Sequence, residues 1–138
     1  MRVLGLDLGA KRIGVAVSDR TGTLASPLTV LDRSDDAARD RREIARLVKE
    51  EEAERVVVGM PTSLSGEPGP AAKAALAEVV ALSDELEVTV VAWDERFTTV
   101  IADRAMAGVG RRAKDRRATI DAAAAAVMLQ SWLDANRA

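Results

Sequence analysis

Two apolar, β-patterned runs, residues 2–8 (RVLGLDL) and 12–18 (RIGVAVS), are separated by only Gly9-Ala10-Lys11. A parallel crossover needs a dozen or more residues, so this link favours an antiparallel hairpin. The first strand of that hairpin carries an acid, Asp7, within its apolar run. A third run, 23–31 (TLASPLTVL), follows the turn Asp19-Arg20-Thr21-Gly22, and Pro27 pushes it towards a sheet edge.

The pattern then changes from hairpins to alternating helices and strands. Residues 35–53 carry Ile44, Leu47 and Val48 among many charges, which predicts an amphipathic helix capped by Ser34 or Asp35. Residues 55–59 (RVVVG) read as a buried parallel strand. A loop rich in Pro and Gly covers 60–69, and a helix over 70–86 has Pro70 in its first turn. A fifth strand is predicted at 87–93, and a helix capped by Thr98 or Thr99 reaches about Ala107. A Gly- and Arg-rich loop follows at 108–117, and an Ala-rich final helix at 118–135. Hairpins first and right-handed crossovers second predict an α/β fold. Its mixed five-stranded sheet has the order 3-2-1-4-5, with helices on both faces. The 138 residues suit a single domain over 1–138.

Composition narrows the chemistry. There is no Cys and no His, which excludes disulfides, thiolate or imidazole zinc sites, Cys nucleophiles and the Ser-His-Asp triad. Catalysis would have to use Asp, Glu, Lys, Ser or Thr, with a hard metal. The longest uncharged stretch, 122–133, is too short to span a bilayer, and Asp7 interrupts any leader-like run. A cytoplasmic protein with no membrane partner is expected.

Three acids stand out. Asp7 lies in a strand that should be central, where a carboxylate is costly unless paired or bound to metal. The alternative is a strand-end Asp bonded to N–H groups of the Gly9 turn. Asp94 and Glu95 follow the fifth strand, at the carboxyl end where α/β sheets gather ligands; the alternative is a solvated turn balanced by Arg96. Asp121 begins an apolar helix, where it either needs a partner or simply complements the helix dipole. The predicted strand order brings the ends of strands 1 and 5 about 9–10 Å apart, at ~4.8 Å per step. Glu95 reaches further than Asp94 and is preferred. Clustered carboxylates repel unless a cation sits between them. With no softer ligand available, that cation is expected to be Mg²⁺ or Mn²⁺ held by Asp7, Glu95 and Asp121. Two such ions can activate water and stabilise the leaving oxygen in phosphodiester hydrolysis.

The formal net charge is only −2, but its distribution is uneven. Arg104–Arg117 carries +5 and Ala71–Glu95 carries −5. Arg111, Arg112, Lys114, Arg116 and Arg117 lie just ahead of Asp121 and could hold phosphates; the alternative is a solvated loop. Lys11, Arg12 and Arg96 are further phosphate candidates beside Asp7 and Glu95. Phe97, Trp93 and Trp132 are the only aromatics, too few for a base-stacking platform. The loop Thr62–Gly66 is either a phosphate-binding turn or a hydrophilic connector.

These residues resemble a known family. Leu6-Asp7-Leu8-Gly9 with Lys11-Arg12-Ile13-Gly14-Val15-Ala16 is similar to the first motif of the YqgF/RuvX family. Val58-Gly59-Met60-Pro61, Asp94-Glu95-Arg96-Phe97-Thr98-Thr99 and Ile120-Asp121-Ala122-Ala123-Ala124 resemble its later motifs, in order. The resemblance implies an RNase H-like fold with Asp7, Glu95 and Asp121 as metal-binding catalytic acids. It also adds Thr98 and Thr99 to the nucleic-acid-facing set. Ala118 stands where resolvases of the related RuvC type carry another acid, leaving three acids here. The expected activity is metal-dependent cleavage of structured nucleic acid, foremost pre-16S rRNA at its 5′ end. The alternatives are Holliday junction resolution on four-way DNA and a non-catalytic rRNA- or protein-binding module. Junction resolution would favour a dimer, and a monomer or weak homodimer is expected. An actin-like ATP-binding domain is disfavoured, because the chain has room for one lobe and one DLG motif.

Overall fold

The computed structural model describes residues 1–60, 69–94 and 113–136, with side chains in the last segment described from Ile120 onward. The strands are β1 (Val3–Leu8), β2 (Arg12–Ser18), β3 (Ala25–Asp32), β4 (Arg55–Met60) and β5 (Thr89–Asp94). The helices are α1 (Ala37–Glu50), α2 (Pro70–Glu85) and α3 (Ala113–Ala135). The five strands form one sheet in the order β3-β2-β1-β4-β5. β2 pairs antiparallel with β1 and β3, whereas β4 pairs parallel with β1 and β5. This is the predicted mixed sheet, with Pro27 on its β3 edge.

Strand alternation divides the apolar side chains between two cores. Leu4, Leu6, Val56 and Val58 pack with Ile44, Leu47, Val48 and Leu82 beneath α1 and α2. Val3, Ala16 and Val57 pack with Ala125, Ala126, Met128, Leu129, Trp132 and Leu133 beneath α3. Helices therefore cover both faces, as expected. The bidentate Arg41–Glu78 pair, at 2.9 and 3.2 Å, ties α1 to α2. The Glu78 carboxylate holds the Arg41 guanidinium above its usual pKa.

Two details differ from expectation. The cap of α1 is Asp36, whose carboxylate accepts from the N–H groups of Ala38 and Arg39. Ser34 instead donates its hydroxyl to Asp40 at 2.7 Å, which occupies it before the helix starts. The final helix begins at Ala113, so residues 113–117 have a helical backbone where a loop was expected. Lys and Arg are good helix formers, and nothing after Gly110 breaks the run.

α3 is fastened to both edges of the sheet by consecutive residues. The Gln130 amide accepts from Ala25 N–H and donates to Thr23 C=O, each at 2.9 Å, at the start of β3. Ser131 accepts from the Trp93 indole N–H at 3.2 Å, on β5. Beneath the helix, a Cβ on Gly5 would lie 2.9 Å from Leu129 Cβ, so only glycine admits this close approach.

Candidate active site

Asp7 is the penultimate residue of β1, half-buried in the middle of the sheet. Its register partners are Gly14 on β2 and Gly59 on β4. Neither neighbouring strand therefore places a side chain beside its carboxylate. Asp7 lies on the α3 face, two and four residues beyond Gly5 and Val3 in the same alternation. The turn does not satisfy it: Gly9 N–H donates to Arg12 C=O at 2.8 Å instead. Among the described residues, Asp7 makes no hydrogen bond or ion pair.

Asp121 approaches from above. It stands eight residues into α3, more than two turns from the first residue, so the proposed helix-dipole explanation does not apply. Its backbone carbonyl lies against Gly14, the register partner of Asp7, so closely that a Cβ there would collide with it. Gly14 thus brings the two acids to one spot on the sheet. A glycine inside a strand is the sequence signal for such an approach, and it was present in the RIGVA run.

Arg12, the first residue of β2, completes this cluster. Its Nε donates to Asp121 Oδ2 at 2.6 Å, with the two side chains 32% and 29% exposed. Arg12 was expected to hold phosphate; in the structure it holds an acid. Lys11 is exposed in the hairpin turn, as a phosphate contact would need to be. Arg33, which sequence reasoning passed over, donates to Gly9 C=O at 2.7 Å and adds a cation beside the same turn. Its place there depends on the β2–β3 pairing rather than on any local motif.

Asp94 ends β5 in register with Met60, one residue after Trp93 pairs with Gly59. Trp93 packs on the α3 side and Val90 on the α1/α2 side. Alternation therefore puts Asp94 on the face opposite Asp7. Glu95, Arg96, Thr98, Thr99, Arg111 and Arg112 lie outside the described residues, as do the loop Thr62–Gly66 and the helix expected to reach Ala107. Lys114, Arg116 and Arg117 are placed on α3 by backbone only.

Among the described residues no three acids converge on a metal-binding point. The two that Gly14 places on the same part of the α3 face, Asp7 and Asp121, are hard oxygen donors. Among the described residues Asp7 has no partner and Asp121 is paired with Arg12, so both suit a hard divalent ion. The described helices include none long and apolar enough to cross a membrane.

The RuvX family model, described as Holliday junction resolvase, matches residues 1–135. The chain belongs to the RuvX family. Relatives from Mycobacterium sp. (strain KMS) and Myxococcus xanthus (strain DK1622) carry the provisional name pre-16S rRNA nuclease. The first is 46% identical over 99% of this chain and 82% of its own length. The second is 43% identical over 99% and 90%. The RuvX chain also shares its fold with solved resolvases. Thermus thermophilus RuvC in complex with Holliday junction substrate has a TM-score of 0.56 at 22% identity, covering 98% of this chain and 94% of that one. Fowlpox virus resolvase with Holliday junction DNA has a TM-score of 0.59 at 14% identity, covering 98% of both. These likenesses bear out the expected RNase H-like fold and the expected family.

Proposed function

We propose that this RuvX chain is a divalent-metal-dependent nuclease that trims structured nucleic acid, with pre-16S rRNA as its substrate. One observation carries the reading. Asp7, half-buried and bare among the described residues, sits on the central strand beside two glycines, with Asp121 seated on one of them. A carboxylate left so is costly in a purely structural role and is poised for a cation. The provisional name of the curated relatives supports rRNA as the substrate.

In this reading Asp7, Glu95 and Asp121 hold Mg²⁺ or Mn²⁺. The metal, when bound, supplies water activation and charge stabilisation at the scissile phosphate. Lys11, Arg96, Thr98, Thr99, Arg111, Arg112, Lys114, Arg116 and Arg117 hold the strand. Such contacts position the backbone without reading sequence, so structure in the substrate supplies the selectivity. A single domain over 1–138 acts in the cytoplasm as a monomer or weak homodimer.

The family description favours a second substrate, the four-way DNA junction. Purified protein with Mn²⁺ on precursor 16S rRNA, junction DNA and plain duplex, with Asp7→Asn alongside, separates the readings. Cleavage of the precursor rRNA alone, lost in Asp7→Asn, is the expected result. Paired incisions in junction DNA with a dimer in solution would move the assignment to resolvase. Activity retained by Asp7→Asn, or none on any substrate, would overturn the nuclease reading.

A further inference from the structure

Arg12 contacts Asp121 through one nitrogen on one oxygen, Nε to Oδ2 at 2.6 Å. Among the described residues this is its one hydrogen bond, so the two terminal nitrogens of its fork bond to none of them. Its guanidinium is a cation. It therefore competes with any other cation for Asp121, both for an oxygen and through like-charge repulsion. Among the described residues Asp7 has no such guard.

The two partners differ in freedom. The Asp121 backbone is wedged on Gly14, and its helix is fastened by Gln130 and Ser131 to the two sheet edges. Asp121 cannot retreat by moving its helix. Arg12 begins a strand next to an exposed turn, on a long side chain about one-third exposed. When a second cation arrives, Arg12 is the group that yields.

The charges around it set where it goes. Asp32, its register partner on β3, is exposed on the same face, and Lys11 is exposed in the adjoining turn, whereas Arg33 lies on the α2 side of that turn. A nucleic-acid strand drawn to Lys11 would bring phosphates within reach of a freed guanidinium, which binds them in a two-pronged fashion.

We propose that Arg12 is a resident stand-in for the metal at Asp121, displaced by the divalent cation and released to grip a phosphate of the substrate. The assignment rests on the metal-site reading above. It makes Arg12 a positioning residue that couples metal loading to strand binding.

Calorimetric titration of Mn²⁺ into the nucleic-acid-free protein tests it, with Arg12→Gln, Arg12→Lys and Asp121→Asn beside the native chain. Arg12→Gln should bind Mn²⁺ at least about fivefold more tightly, since a competing charge is gone. Arg12→Lys, which keeps the charge, should stay close to native and also shows that the fold tolerates a change there. Saturated with Mn²⁺, Arg12→Gln should have a raised KM for the nucleic acid and a salt slope reduced by about one. Unchanged or weaker Mn²⁺ binding in Arg12→Gln would overturn the proposal and make Arg12 a fixed brace. Native Mn²⁺ affinity in Asp121→Asn would instead overturn the metal-site reading itself.

Discussion

The carbonyl of Asp121 rests on Gly14, leaving no room for even one methyl group between α3 and β2. The contact is backbone on backbone, so no flexible side chain can yield. Gly14→Ala must lift the helix at the point where two acids meet. Overpacking of this kind costs about 1–3 kcal/mol. Thermal unfolding should report that loss, and cleavage should fall further than stability does, because the Asp7–Asp121 geometry is disturbed directly. A Gly14→Ala protein with native melting and native activity would show that the helix can shift without consequence.

Asp7 offers the converse case. Its carboxylate has no partner to lose among the described residues, so Asp7→Asn should melt at or above the native temperature in metal-free buffer. Divalent ions should stabilise the native chain by ~2.7 kcal/mol at a hundredfold excess over Kd. They should leave Asp7→Asn unmoved. Melting curves with and without Mn²⁺, and after chelation, check this directly. Equal metal stabilisation of both proteins would remove Asp7 from the site.

The strand order was legible because link length decides between hairpin and crossover, and two short links followed by two long ones leave few topologies. The acids were legible because Asp7 and Asp121 interrupt apolar runs. What the runs did not reveal was register. The Arg12–Asp121 pair joins residues 109 apart in the chain, and it depends on how α3 lies across β1 and β2. Gly5 and Gly14 set that placement, and a glycine reports that something comes close without saying what. The start of α3 was misread for a local reason. Gly108 and Gly110 suggest a loop, yet the Lys- and Arg-rich stretch after them favours a helix, and this moved Asp121 from the first turn into the interior.

Asp19 gives the fold an acid-sensitive corner. The Thr23 N–H bonds its carboxylate at 2.8 Å and Leu24 N–H at 3.3 Å, in the turn that joins β2 to β3. Chiefly through the Thr23 bond, the carboxyl is held below its ordinary value of 3.8. A group depressed in the folded state contributes stability that is fully present above its unfolded pKa. That contribution disappears as the pH falls through the folded value. Urea unfolding from about pH 7 to about pH 3 should show Asp19→Asn less stable at the upper end, with the gap closing in acid. A gap that stays constant across the range would mean that the charge on Asp19 plays no part.

Asp94 and Glu95 are adjacent in sequence, but alternation sets adjacent strand residues on opposite faces. Asp94 shares its side of β5 with Val90, which packs towards α1 and α2, while Asp7 lies beneath α3. Asp94 cannot join Asp7 and Asp121 without a half-turn of the strand. Asp94→Asn should therefore retain cleavage to within about threefold, a change of under ~0.7 kcal/mol in barrier. Glu95→Gln should lose activity on the order of 100-fold or more, as expected when a metal-holding carboxylate is neutralised. The comparison is best made as single-turnover rates with both enzyme and Mn²⁺ saturating, where weakened substrate or metal binding does not intrude. A severe defect in Asp94→Asn with an active Glu95→Gln would reverse the assignment, and would require β5 to twist at its last residue so that Asp94 turns to the α3 face.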